Sequence, residues 1–304
     1  MKESVNQDTG FGVNASQMGG RMVNRDGTFN IKRLGISLRD RVSSYHSMLT
    51  MPRWRFLLVI FVAYFLINCF FTLLYWLAGP TGLEGVNAGH GFNRLKDLFF
   101  FSTQTFTTVG YGRVNPVGEL TNWIAAIESL IGFLSFAIAA GLLYGRFSRP
   151  RSFVRFSEKI LFANYRGGKA LMFRLVGYKD DHILTNVEIK VSTRLFASDG
   201  TYQFFNLDLE RSHVDSLVLN WTVVHPIDSN SPFYGLSQAE IQALQPELSA
   251  LLIGFDEVYS STVMARNSYA LADFAFDFKF APMYFRGNST TKLDLGLLDS
   301  LEAE

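Results

Sequence analysis

Six consecutive residues, Thr107-Thr108-Val109-Gly110-Tyr111-Gly112, have types and spacing suited to one kind of chemistry. Glycines at 110 and 112 permit backbone angles that L-residues resist, so the carbonyls of Thr108, Val109, Gly110 and Tyr111 are free to point toward one axis. Four copies around a symmetry axis stack into rings of oxygens that replace the hydration shell of K⁺, with the Thr108 hydroxyl completing the innermost ring. One chain supplies a quarter of each ring. The chemistry therefore requires a tetramer.

Backbone used in this way needs particular surroundings. Just before it runs Leu95-Lys-Asp-Leu-Phe-Phe-Phe-Ser-Thr-Gln-Thr-Phe106, apolar enough to enter a membrane and too short to cross it. Non-helical backbone at membrane depth is tolerated only where protein or a water-filled cavity surrounds it, so this half-helix must lead into a segment that uses its exposed backbone. The negative end of its dipole then favours a cation in a central cavity. Two longer runs flank the loop. Phe56 to Ala78 carries no charge and only Asn68 and Thr72 as clear polar interruptions; Leu120 to Gly145 has Glu128 as its only ionisable acid or base. Both have the length of membrane-spanning helices. The first begins too far into the chain, and lacks the small-residue cleavage pattern, for a signal peptide. Arg39, Arg41, Arg53 and Arg55 precede the first span and Arg146, Arg149, Arg151 and Arg155 follow the second, while the loop between them holds only Arg94, Lys96 and Arg113. The basic excess places both termini in the cytoplasm of a multi-pass protein of the cell (inner or plasma) membrane.

The bulk figures conceal this division. At 304 residues, 48% hydrophobic, 18% charged and with a mean hydropathy of +0.13, the chain is too apolar to be disordered. Its single cysteine, Cys69, excludes an internal disulfide scaffold. A net charge of +1 and a pI near 7.8 argue against nucleic acid as a partner. The organisation expected is a flexible cytoplasmic tail over 1–36, an amphipathic helix lying on the inner interface over 37–52, a transmembrane pore domain over 53–150 and a cytoplasmic domain over 151–304. The interfacial helix rests on Leu38, Val42, Tyr45 and Leu49 recurring at three- and four-residue steps until Pro52 ends it. From Arg151 the pattern changes to short alternating runs at 187–191, 202–205, 217–224, 251–254 and 274–280, which predict an all-β sandwich. Ser237 and Glu240 form a capping box for one helix over 237–252, kinked or broken at Pro246.

The landmarks that follow the pore segment are Gly141-Leu-Leu-Tyr-Gly-Arg-Phe-Ser-Arg-Pro150, Phe156-Ser157, Gly168-Lys-Ala-Leu-Met-Phe-Arg174, His225-Pro-Ile-Asp228 with Ser231-Pro-Phe-Tyr-Gly235, and Ala265-Arg-Asn-Ser-Tyr269. In order and spacing, from about residue 35 to 300, this resembles the inwardly rectifying potassium channels. The likeness is to their prokaryotic branch (KirBac), since the chain is short, lacks the cysteine pair flanking the pore loop of animal members, and has Gln104 where they carry a glutamate. The resemblance implies a homotetramer with permeant K⁺, an immunoglobulin-like cytoplasmic sandwich and no enzyme activity or organic cofactor.

It also implies roles for residues. Tyr144 falls at the helix-bundle crossing, where four rings would gate by dewetting, or is an interfacial tyrosine. Gly132 and Gly141 are hinges of the inner helix or positions of close packing. Residues 256 to 264 match the cytoplasmic loop that narrows the conduit, lined here by Ser260 and Ser261. Arg146, Arg149 and Arg151 look like the cluster that meets anionic phospholipids, with Arg53, Lys32 and Lys159 as further candidates, or serve only as positive-inside anchors. Strong rectification in the family needs an inner-helix acid where this chain has Phe136, so block by Mg²⁺ or polyamines is expected to be weak, while Ba²⁺ is an expected blocker. Glu128, eight positions earlier, is either a support for the pore loop or a blocker site.

Rival functions lack their signatures. Gly167-Gly168-Lys169 imitates a phosphate-binding loop, but Ala163 and Ala170 stand where glycine and Ser or Thr are required. The five histidines show no metal-ligand spacing, and no G-x-G-x-x-G turn marks a nucleotide-binding cytoplasmic domain.

Overall fold

The computed structural model describes residues 21, 23–24, 27–31, 34–35, 37, 43–87, 91–197, 200–287 and 290–303. The chain divides into two compact units, one formed by 34–149 and one by 150–304 with the first 33 residues.

In the membrane unit, a short helix α1 (Ser44–Thr50) is capped by the Ser43 hydroxyl, which accepts the His46 amide. The residues Leu38 and Val42 expected in this helix lie outside the described residues. Pro52 stops α1 and, with its fixed φ, starts α2 (Arg53–Ala78). Next come β1 (Leu83–Glu84), the half-helix α3 (Phe92–Phe106), β2 (Asn115–Pro116) and α4 (Glu119–Phe147). With 26 and 29 residues, α2 and α4 are long and apolar enough to cross a membrane. Their Leu, Ile and Phe side chains are mostly exposed, which a buried helix of a soluble protein would not tolerate. What α2 buries is instead Phe56, Asn68, Phe71, Thr72 and Tyr75.

The second unit is a sandwich of two five-stranded sheets. Its strands are β3 (Val154–Phe156), β4 (Ile160–Tyr165), β5 (Gly168–Gly177), β6 (Leu184–Phe196), β7 (Tyr202–Asn206), β8 (His213–Leu217), β9 (Trp221–Pro226), β10 (Glu247–Asp256), β11 (Ser261–Ala270) and β12 (Phe274–Phe276). One sheet runs β11-β10-β6-β7 with β8 also on β6; the other runs β12-β4-β5-β3 with β9 on β5. All pairings are antiparallel except β12 with β4. Ile160, Phe162, Leu171 and Phe173 meet Leu184, Val187, Ile189, Leu248 and Leu252 in one apolar core. In β4 four consecutive residues are buried, because both faces of that sheet are covered. The outer cover comes from the C-terminal pairs β13 (Phe278–Phe280) with β16 (Leu301–Ala303) and β14 (Tyr284–Arg286) with β15 (Thr291–Leu293), where Met283 and Leu298 pack on Val176.

Three expectations change here. The helix of the Ser237 capping box is α5 (Gln238–Ala243) and ends well before Leu252, since Pro246 follows and Glu247 already belongs to a strand. The run 274–280 is two strands in different sheets, broken by Asp277 at φ 61, and 217–224 likewise divides between β8 and β9. Within 1–36, the described residues are not a free tail: Val23 is buried and bridges Phe29, and Arg21 donates to the Ser268 hydroxyl at 2.7 Å and pairs with Asp273 at 3.2 Å.

The candidate ion-conduction site

The half-helix α3 delivers its last turn into the Thr107–Gly112 segment through three backbone bonds, from the amides of Thr107 to Thr103, Thr108 to Thr105 and Val109 to Gln104. Beyond Val109 the chain leaves regular structure. Gly110 and Gly112 stand at φ 54 and 80, the left-handed region that glycine enters without strain. Thr108 shares that region at φ 58, which costs an ordinary residue roughly 1 kcal/mol and which nothing in the sequence announces. Val109 and Tyr111 are 53% and 79% exposed in a single chain, as expected of a segment that supplies one quarter of a ring. On the far side, the Asn115 side chain donates to the Gly112 carbonyl at 3.0 Å.

Behind this segment lies a buried polar cluster joining all three helices. Glu128 of α4 has no exposed surface. It accepts from the Tyr75 hydroxyl of α2 at 2.6 Å and from the Ser102 hydroxyl of α3 at 2.5 Å. Ser102 Oγ also lies 3.0 Å from Asn68 Oδ1, while the Asn68 amide donates to the Tyr64 carbonyl and Thr72 donates to the Asn68 carbonyl. Of the two roles open for Glu128, this geometry matches the support of the pore loop: its carboxylate is enclosed and engaged on both oxygens. Asn68, Thr72 and Tyr75 were missed as partners, although the polar interruptions at 68 and 72 in an otherwise apolar span were the available signal, since residues four apart share a helix face.

A second cluster ties down the outer end of α3. Buried Asp97 accepts from the Asn87 amide at 3.1 Å and its side-chain nitrogen at 2.6 Å, and lies 3.8 Å from Arg113, the residue after Gly112. Sequence reasoning did not single out Asp97.

The remaining expected site residues separate by environment. A Cβ at Gly132 would fall 1.9 Å from the Phe106 carbonyl oxygen, so Gly132 is where α4 passes against the end of the half-helix; close packing rather than hinge freedom explains it. Gly141 has open space around it, and Tyr144 is exposed three residues on. Arg146 donates to the carbonyls of Met48 and, at 2.7 Å, Met51, and its guanidinium lies 4.5 Å over the Phe56 ring. It thus clamps the end of α1 to α4 and the start of α2, and is committed to the protein rather than free for lipid. Arg53, Arg149 and Arg151 are exposed, with no ion pair among the described residues; Lys32 lies outside them, and Lys159 donates to the Ala272 carbonyl. In the sandwich unit, Ser260 stands at φ 47 in the turn between β10 and β11, and Ser261 begins β11 opposite Asp256. Asp256 is fully buried and Glu210 pairs with Arg166 at 2.7 Å, while Glu257 is exposed.

A filter-like segment after a half-helix, between two spans and ahead of a two-sheet domain, finds direct counterparts among known proteins. Residues 56–149 match an ion channel family and residues 154–302 match the inward rectifier potassium channel C-terminal domain. The chain is 33% identical over 281 residues to inward rectifier potassium channel Kirbac3.1 of Paramagnetospirillum magnetotacticum, covering 91% of this chain and 94% of that protein. It belongs to the inward rectifier potassium channels. Similarity extends to inward rectifier potassium channel 4 of Rattus norvegicus and of Homo sapiens, at 26% and 25% identity over 90% of this chain and 70% of each relative. As an inward rectifier of the KirBac type the protein is a membrane potassium channel and not an enzyme, and its family is tetrameric with K⁺ as the permeant ion.

Proposed function

We propose that four copies of Thr108, Val109, Gly110, Tyr111 and Gly112 form the K⁺ selectivity filter, and that the Glu128 cluster holds it in register. The observation that carries this reading is the enclosed Glu128 carboxylate bridging Tyr75 and Ser102, because it fixes the half-helix whose last turn sets the filter backbone. Selectivity by carbonyl rings demands that the rings neither collapse nor spread, and buried hydrogen bonds in a low dielectric resist both. K⁺ then passes down its gradient without chemical change. The Thr108 side chain supplies the innermost ring, and the half-helix dipole favours the ion in the cavity below.

Gating follows from exposure. Tyr144 projects from α4 with no partner among the described residues, so four of them close the pore at the inner end by excluding water, and Gly141, with open space around it, is the hinge on which they move. The hairpin turn with Ser260 and Ser261 forms a second narrowing in the cytoplasmic part. Arg53, Arg149 and Arg151 face anionic phospholipid headgroups from the cytoplasmic leaflet, each attracting them by about 1 kcal/mol. The basic excess flanking the two spans supports both termini lying in the cytoplasm. With Phe136 offering no charge and Glu128 enclosed, rectification by Mg²⁺ or polyamines is weak.

Purified protein in liposomes under a K⁺ gradient tests the reading. Flux selective for K⁺ over Na⁺, blocked by Ba²⁺ and altered by anionic lipid, is expected; equal passage of Na⁺ would overturn the filter assignment. Steep block by low internal spermine would overturn weak rectification.

A further inference from the structure

Between α2 and α3 of the membrane unit lies an apolar groove of about 990 Å³. Phe65, Cys69, Leu73 and Trp76 form its α2 wall, recurring at steps of three and four so that they share one helix face. Phe92 and Phe99 stand on the α3 wall, and Phe65 meets Phe99 with ring centroids 5.7 Å apart. From Phe65 to Trp76 the α2 wall rises about 16 Å at ~1.5 Å per residue, half of a hydrocarbon core of ~30 Å. The groove is thus one leaflet deep. Trp76 marks the end where headgroups lie. Lys96 also lines the groove; it is exposed, has no ion pair among the described residues, and carries its ammonium on a stem long enough to reach the headgroup level. Its neighbour Asp97 is buried and turned to Asn87 and Arg113 instead. No acid is among the groove's lining residues, so its one charge is positive.

We propose that this groove is a site for an anionic phospholipid of the leaflet opposite the interfacial helix α1, with one acyl chain along Phe65, Cys69, Leu73 and Phe99 and the phosphate paired with Lys96. A lipid fits better than a water-soluble ligand because α2 buries only the stripe of Phe56, Asn68, Phe71, Thr72 and Tyr75. The groove beside that stripe opens onto the surface that meets hydrocarbon. A chain already in hydrocarbon gains no hydrophobic energy by entering a groove, so dispersion contacts and the headgroup pair decide occupancy. The lysine ammonium attracts phosphate as a point charge, and a choline headgroup brings a competing cation of its own. Anionic phospholipid is therefore preferred over zwitterionic. The site is separate from the arginines at the other ends of the spans, since Arg53 begins α2 and Arg149 and Arg151 follow α4. An occupied groove braces the half-helix that leads into Thr107–Gly112. The leaflet assignment rests on the topology of the proposed channel; occupancy of the groove does not.

Full-length tetramers in detergent are titrated with phosphatidylglycerol or phosphatidylcholine, and the lipids retained are counted by native mass spectrometry. One phosphatidylglycerol per subunit is expected to bind about fivefold more weakly in Lys96→Gln, the change that loss of one lysine–phosphate attraction brings, while phosphatidylcholine binding changes less. Arg149→Gln combined with Arg151→Gln removes charge from the cytoplasmic side and should leave the Lys96-dependent lipid bound. Cys69, the chain's single cysteine, locates the acyl chain. Its modification by a maleimide, read by mass, should be slowed by phosphatidylglycerol in wild type and less so in Lys96→Gln at the same lipid concentration. Phosphatidylglycerol binding unchanged by Lys96→Gln would overturn the site. So would Cys69 modification that no lipid slows, an outcome that leaves the groove to a neighbouring subunit. Neither readout uses ion flux, so a channel that passed Na⁺ as readily as K⁺ would strike the filter reading and leave the lipid site standing.

Discussion

In the membrane unit the side chains sealed from solvent include Asn68, Ser102 and Glu128 beside Tyr75 and Leu98, while most Leu, Ile and Phe line the outside; in the sandwich the fully buried residues are mainly apolar, among them Ile160, Leu161, Leu171, Leu175, Leu248 and Leu252. The inversion follows from the solvent each unit meets. Against lipid tails, apolar side chains gain little by clustering, so packing and enclosed hydrogen bonds must specify the arrangement of helices. Against water, burial of apolar surface does this work, and polar groups are tolerated inside only when paired, as with Arg194 and Glu247 at 2.6 Å. Damage should therefore show differently: polar or small-residue substitutions should destroy function in the first unit, and apolar truncations should destroy stability in the second.

The largest effect is expected at Gly132. With the Phe106 carbonyl only 1.9 Å from an added Cβ, Gly132→Leu should push the half-helix out of place and abolish K⁺ flux, while Gly141→Ala, with open space around it, should leave the tetramer assembled and K⁺-selective and alter only how readily it opens. Liposome flux on size-selected tetramers distinguishes them, and a conducting Gly132→Leu channel would break the comparison. Next is Glu128→Ala, which strands the Tyr75 and Ser102 hydroxyls at a cost of about 1–3 kcal/mol each; K⁺ over Na⁺ selectivity should fall about tenfold or more, with partial retention in Glu128→Gln. In the sandwich, Leu252→Ala should lower unfolding stability by about 2–5 kcal/mol, read by denaturation of the detergent-solubilised protein, without altering ion selectivity. The smallest effect concerns His225, whose burial holds its pKa below the ordinary value, an effect only partly offset by the Asp208 carbonyl. The unfolded chain then binds a proton at a pH where the folded chain does not. The sandwich should keep its full stability above the ordinary histidine range, near pH ~6.5, and lose some as pH falls through it. A denaturation midpoint unchanged by pH across that range would contradict this.

How much of this was legible in the residues themselves differs by unit in the same way. The spans, the half-helix and Gly110 and Gly112 could be read directly because hydropathy and glycine chemistry are local properties. The role of Glu128 stayed open until Tyr75 and Ser102 were seen around it, since hydrogen bonds between three helices leave no periodic trace. Arg146 reads as a lipid ligand in the sequence and is a clamp on α1 in the fold, because backbone carbonyls as acceptors have no residue code. In the sandwich the alternating runs located most strands, but the break at Asp277 was invisible, as a left-handed aspartate is permitted rather than required there. The docking of Val23 on β11 was equally hidden, since one buried valine in a polar stretch carries no pattern.

The most direct test of the central claim is the reversal potential of single tetramers in planar bilayers with K⁺ on one side and Na⁺ on the other, for wild type and Glu128→Gln. A filter of carbonyl rings held by the Glu128 cluster gives a strongly K⁺-selective potential in wild type and a reduced one in the variant. A wild-type potential near zero, or full selectivity in Glu128→Gln, would contradict it.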